Sequence, residues 1–177
     1  MTRPTVAEIN LTAIRKNLKK IKSLSRDSLI YPVVKANAYG HGYKKVVKEI
    51  ENLVDGLCVA TTEEALEIRK ITNKNILCME GPYDQKEFDL LIKKKIDIVF
   101  HSKRQIGFIE RTNDFPKEIK VWIKIDTGMN RLGFKEDEII DTFNKLHVKT
   151  KKIVLMSHFS SAAGTKSSKI KSKKQID

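Results

Sequence analysis

Leu11, Ile14, Leu18, Ile21 and Leu24 stand three or four positions apart with lysines between them, the apolar stripe of an amphipathic helix. Beyond them the pattern changes. Six short runs are apolar on successive positions rather than alternating: LIYPVVK (29–35), GLCVA (56–60), NILCME (75–80), IDIVF (96–100), KVWIKI (120–125) and KIVLMSHF (152–159). Several are rich in Val and Ile, which suits strands buried on both faces, as in a parallel sheet. Helical stripes lie between the later runs, with Ala65, Ile68 and Arg69 in one, Phe88, Leu91 and Ile92 in the next, and Ile139, Ile140, Phe143 and Leu146 in another. Thr61 with Glu64, and Asp84 with Glu87, have capping-box spacing. The runs recur about every 20 to 30 residues, the length of a strand, a crossover helix and two turns. This predicts a (β/α) repeat. A dinucleotide-binding sheet would open with G-x-G-x-x-G, and Gly40-His41-Gly42 has the wrong spacing, so a barrel is expected over a doubly wound sheet.

Composition narrows the picture. With 177 residues, 40% of them hydrophobic, the chain has the length of one domain or part of one. Residues 1–159 are expected to form the barrel-like domain. Residues 160–177, with five lysines and almost no apolar side chain, are expected to be a connecting loop or a disordered tail. A net charge of +13 raises nucleic acid as a partner, to be bound through its phosphates with a steep dependence on salt. Lysines outnumber arginines 28 to 7 along the whole chain, with no aromatic residues interleaved as a stacking platform needs. Solvated helix faces account for the charge better. Cys58 and Cys78 lie within apolar runs, without His or Cys neighbours at ligand spacing, and read as buried thiols rather than metal or redox groups. There is no apolar run of about 18 residues and no secretory leader, so a soluble, cytoplasmic chain off the membrane is expected.

In a barrel the strand ends open onto one mouth, and the side chains there are Lys35 after two valines, then Lys124, Asp126 and Arg131, then His158. Lys35 at a buried strand end would be partly desolvated and near other cations, both of which disfavour its ammonium form. A neutral amine so placed can join an aldehyde cofactor. The alternative is a lysine that snorkels into solvent.

The segment Lys35-Ala36-Asn37-Ala38-Tyr39-Gly40-His41-Gly42 resembles the pyridoxal-phosphate signature of the alanine racemases. AEINLTAIRKNL (7–18), IKIDTGMNRLGF (123–134) and MSHFSSA (156–162) agree with that family in order and rough spacing. The resemblance implies a fold-type III barrel in which Lys35 holds pyridoxal 5'-phosphate as a Schiff base and is one of two catalytic bases. It implies that the Tyr39 hydroxyl contacts the cofactor phosphate; otherwise Tyr39 is a turn-packing aromatic. Lys124 matches a lysine that is often carbamylated and then orients an arginine, here Arg131, on the substrate carboxylate. On the residues alone, those two read as a strand-end cation and a loop cation. His158 would line the cofactor pocket or be a satisfied core histidine, and Asp126 would support its loop. The implied activity is an isomerase interconverting L- and D-alanine, supplying D-alanine for peptidoglycan, in a homodimer.

The resemblance also has gaps. The family's opposite-face base is a tyrosine from a C-terminal β domain, whereas Tyr31, Tyr39, Tyr43 and Tyr83 all fall in the N-terminal half here. The expected fold is therefore an incomplete TIM-type (β/α) barrel of about six parallel strands, without the last strands and the β domain, and with a first strand around Thr5–Ile9. A second reading is a cofactor-binding or interaction module without racemase activity, completed by a separate chain.

Overall fold

The computed structural model describes residues 4–25, 27–162 and 164–176. The chain forms two compact units that divide between Leu77 and Cys78. In the first, helix α1 (Leu11–Leu24) begins where the Asn10 side chain accepts from the Ala13 N–H at 2.9 Å, satisfying one of the free donors of a first turn. Leu18 is buried, and Arg15 pairs with Glu49 of helix α3 (Tyr43–Ile50) at 2.9 Å. Between these helices lies α2 (Lys35–Tyr39), a single turn. Strand β1 (Gly56–Val59) is buried at every position. Helix α4 (Thr62–Arg69) opens with the expected capping box, since Thr61 accepts from the Glu64 N–H and Glu64 reaches back. Strand β2 (Asn75–Cys78) follows.

The second unit continues with α5 (Gln85–Lys93), β3 (Asp97–Phe100), α6 (Lys103–Glu110), β4 (Val121–Lys124), α7 (Ile139–Lys149), β5 (Ile153–Met156) and α8 (Lys166–Lys174). The β3–β4 and β4–β5 pairs are parallel, with Ile98 opposite Val121 and Trp122 opposite Val154. All told, the strands make one five-stranded parallel sheet in the order β1-β2-β3-β4-β5. This is the α/β architecture that the apolar runs predict. In the second unit Phe88, fully buried on α5, stands with its ring centroid 6.3 Å from those of Phe100, Phe108 and Phe115.

Three expectations need correction. The run LIYPVVK forms no strand; it contributes one parallel bridge between Val33 and Cys58, in which the Cys58 N–H donates to the Pro32 carbonyl and the Val34 N–H to the Cys58 carbonyl, and Pro32, lacking an N–H, cannot donate the next rung of a ladder. Residues 4–10, which include the strand expected around Thr5–Ile9, have no regular structure, and Val6 is 85% exposed. Among the described residues no strand pairs with that segment to give it a ladder. Within the lysine-rich stretch 160–177, residues 166–174 are the helix α8, started by Thr165, whose hydroxyl accepts from the Ser168 N–H at 3.1 Å. A cap supplies here what the absent apolar stripe does not. No helix among the described residues is long and apolar enough to cross a membrane.

Candidate active site

In the first unit the turn bearing Lys35 has an unusual backbone. Ala36, Asn37, Ala38 and Tyr39 take φ of 48°, 55°, 54° and 54°, and Gly40 follows at 82°. This is a left-handed turn built almost entirely from residues with a Cβ, at a cost of roughly 1–2 kcal/mol for each of them. Hydrogen bonds offset that cost. The Ala38 N–H donates to the Val34 carbonyl at 2.9 Å, Gly40 to Ala36 at 3.0 Å and Gly42 to Asn37 at 2.9 Å. The Asn37 side chain also accepts from the Tyr43 N–H at 2.9 Å, so the residue that closes the turn caps α3 as well. From α4, Glu64 accepts the Ala36 N–H at 2.6 Å. Strain held by surrounding structure is characteristic of functional positions. Lys35 is half-buried at the head of this turn, and Tyr39 at its end is 60% exposed. That exposure is at odds with a turn-packing role for Tyr39.

The second unit gathers another group. Lys124 ends β4 and is only 6% exposed. Burial, then the nearby Arg131 guanidinium, push its pKa below the ordinary lysine value, with Asp126 opposing. Asp126 organises the loop after β4: its Oδ1 accepts from the Asn130 N–H at 2.9 Å and the Gly128 N–H at 3.1 Å. Those N–H groups, Asn130 foremost, hold its carboxyl below the usual range. The loop returns through Gly133, after which the Phe134 N–H donates to the Lys124 carbonyl at 2.8 Å and the Asp126 N–H to the Phe134 carbonyl at 3.0 Å. Arg131 is exposed on this loop.

The loop after β5 is tied to the same place. Thr127 Oγ1 and Ser157 Oγ lie 2.6 Å apart, and Gln175 Nε2 donates to Thr127 Oγ1 and to the His158 carbonyl, each at 3.1 Å. His158 is exposed, so the core-histidine reading does not hold. Lys124, Asp126 and Arg131 are thus brought together, and Lys35 with Tyr39, each group within its own unit. Sequence reasoning missed Glu64 as a partner of Ala36, Asn37 as a cap, and Gln175 as a tie. Only Glu64 carried a signal, through its capping-box position.

Lys124 yields a prediction. A lysine whose folded pKa is depressed holds fewer protons than the unfolded chain between that depressed value and about 10.4. Stability should therefore rise with pH through that window and fall as pH drops through the folded pKa. Lys124→Met should raise the urea midpoint at pH 7 and remove the alkaline gain; equal slopes of stability against pH in the two proteins would show that Lys124 is not desolvated.

A parallel α/β sheet with a buried lysine at the end of β4 and an arginine on the loop that follows it has the architecture of a (β/α)-barrel type of domain. Comparison with known proteins narrows the class. A family model described as "Alanine racemase, N-terminal domain" matches residues 9–177. The chain is 40% identical over 168 residues to an alanine racemase of Mannheimia succiniciproducens, covering 93% of this chain and 47% of that protein. It is 41% identical over 165 residues to that of Haemophilus influenzae, covering 90% and 45%. Among solved structures, a biosynthetic alanine racemase from Pseudomonas aeruginosa superposes with a TM-score of 0.88 at 33% identity, covering 98% of this chain and 49% of that one. One from Acinetobacter baumannii gives 0.86 at 34%, covering 95% and 48%. The chain belongs to the alanine racemase N-terminal domain family, and it spans about half the length of the relatives it matches.

Proposed function

We propose that this chain is the cofactor-bearing part of a pyridoxal-phosphate-dependent racemase that interconverts L- and D-alanine, with residues 1–159 as its barrel domain. The observation that carries the reading is the left-handed turn, which fixes the base of Lys35 against its own preference and sets Tyr39 at the other end. The donor set fits the group: a primary amine for the aldehyde, and an exposed phenol to donate to the phosphate. When bound, the cofactor supplies an electron sink for the charge left on the substrate α-carbon.

The side chains do the rest. Lys35 would hold the cofactor through Nζ, and the same amine would take or return the α-proton on one face. Arg131 binds the substrate carboxylate through its planar fork. Lys124, its ammonium disfavoured by burial, is suited to add carbon dioxide as a neutral amine, lose a proton and become a carbamate that orients Arg131. His158 lies on the loop bordering this group and lines the cofactor pocket in this reading.

Inversion needs a base on each face, and Lys35 serves one. Tyr83 is poorly equipped for the other, because its hydrogen bond to Glu80, then burial, push its hydroxyl up to about 12. Tyr43 donates to Glu67 at 3.4 Å. In this reading the second base comes from outside these 177 residues, and the working enzyme is a homodimer that supplies D-alanine for peptidoglycan.

The test is chemical. Incubation with pyridoxal phosphate followed by borohydride should fix the phosphopyridoxyl group on Lys35 in preference to the other 27 lysines, as read by mass mapping, and Lys35→Ala should lose that label. A label scattered over surface lysines, or unchanged in Lys35→Ala, defeats the reading.

A further inference from the structure

We propose that Glu64 is the positioning residue for Lys35. The assignment rests on Lys35 being the cofactor lysine, and it concerns what aims that side chain. Helix capping needs only one carboxylate oxygen of Glu64, and Oε2 meets that need by accepting the Ala60 N–H at 2.8 Å and the Thr61 N–H at 3.4 Å. The other oxygen leaves the cap altogether. Oε1 accepts the N–H of Ala36 at 2.6 Å, across 28 positions of sequence.

That N–H belongs to the peptide group immediately after Lys35, so fixing it fixes the ψ of Lys35 and the φ of Ala36. Here the chain leaves the Val33–Cys58 bridge and enters the left-handed turn. One side chain therefore joins the residue after β1, the start of α4 and the lysine's own backbone. A lysine is long and loses rotamer freedom when held, and a fixed Cα–Cβ direction lessens what remains to be ordered. An ionised acceptor makes the link stronger than a neutral one would.

Three substitutions separate this role from capping. In Glu64→Gln a single oxygen remains, and the amide NH2 must face an N–H donor on one side. Glu64→Asp keeps the charge but lacks the length to span both, and it serves if the glutamine variant does not fold. Thr61→Val removes the cap hydroxyl that accepts from the Glu64 N–H and leaves the carboxylate in place.

The purified 177-residue chain is followed by two measurements: amide hydrogen exchange over residues 34–42, and the ratio of borohydride-trapped pyridoxal phosphate on Lys35 to that on exposed Lys48. The expected result for Glu64→Gln and Glu64→Asp is exchange at Ala36 faster by about tenfold or more, the loss of one charge-assisted hydrogen bond, with the labelling ratio lowered by a comparable factor. Thr61→Val should move neither, and far-ultraviolet circular dichroism should match in all four proteins. Unchanged exchange in the Glu64 variants overturns the proposal. So does faster exchange with an unchanged labelling ratio, because the carboxylate then braces the fold without aiming Lys35. If the unsubstituted chain shows no preference for Lys35, the cofactor reading fails on its own, and the exchange measurement still decides whether Glu64 holds the turn.

Discussion

Gly133→Ala is expected to destabilise the second unit by about 3 kcal/mol or more and to scatter the Lys124, Asp126 and Arg131 group, the loss combining backbone strain with broken pairing. Gly133 has φ +135°, a conformation L side chains rarely adopt. A Cβ there would lie 2.7 Å from the Asp126 nitrogen, 2.9 Å from the Ile125 carbonyl carbon and 3.1 Å from the Lys124 oxygen. All three are backbone atoms, so no side chain can swing aside. The pairing that must yield is the one by which Phe134 returns to Lys124 and Asp126.

Gly128 in the same loop provides the comparison. It also has positive φ, +116°, but a Cβ there meets nothing nearer than Gln175 Cγ at 3.9 Å, so Gly128→Ala should cost only the conformational strain, about 1 kcal/mol. Urea unfolding of both variants beside the parent measures the difference. Equal midpoints for the two would mean that the close approach at Gly133 does not hold the loop.

Phe88→Ala carries the second large effect, an expected loss of about 3–5 kcal/mol. Phe88 is fully buried, and its ring faces those of Phe100, Phe108 and Phe115 at 6.3 Å each. Removing it leaves a cavity bounded by three large side chains from different segments, which cannot all collapse inward, and forfeits aromatic pairs worth about 0.5–1.5 kcal/mol apiece beyond area. Against a typical domain stability of about 5–15 kcal/mol, such a loss should expose the second unit to proteolysis at room temperature. A shift in urea midpoint equivalent to less than about 1 kcal/mol would show that the cluster relaxes freely and does not hold the unit.

Much of the fold was legible in the sequence because burial writes itself into spacing. The Leu11–Leu24 stripe became α1 at both ends, and five of the six apolar runs became strands. The sixth failed at Pro32, where the missing donor limits pairing to a bridge. Helix α6 was missed because its apolar residues, Ile106, Phe108 and Ile109, are too few and too clustered to display a period. The helix at 166–174 was missed because a cap, not an apolar stripe, announces it. At the site, spacing and resemblance indicated Lys35, Lys124 and Arg131 as residue types. They did not reveal that Lys124 would be buried beside Arg131, or that a carboxylate 28 residues away would hold the peptide after Lys35. Such contacts depend on loop geometry, which leaves no period in a sequence.

The left-handed turn also reverses the usual rules of sequence drift. Ala36 and Asn37 lie at the surface, where substitutions ordinarily pass unnoticed. Here handedness, not burial, sets the acceptable alphabet. Valine, isoleucine and threonine are barred by their branched Cβ at positive φ, while asparagine and glycine, poor residues in an ordinary helix, become the well-suited ones. A short exposed stretch can therefore be as restricted in its choice of residues as the core.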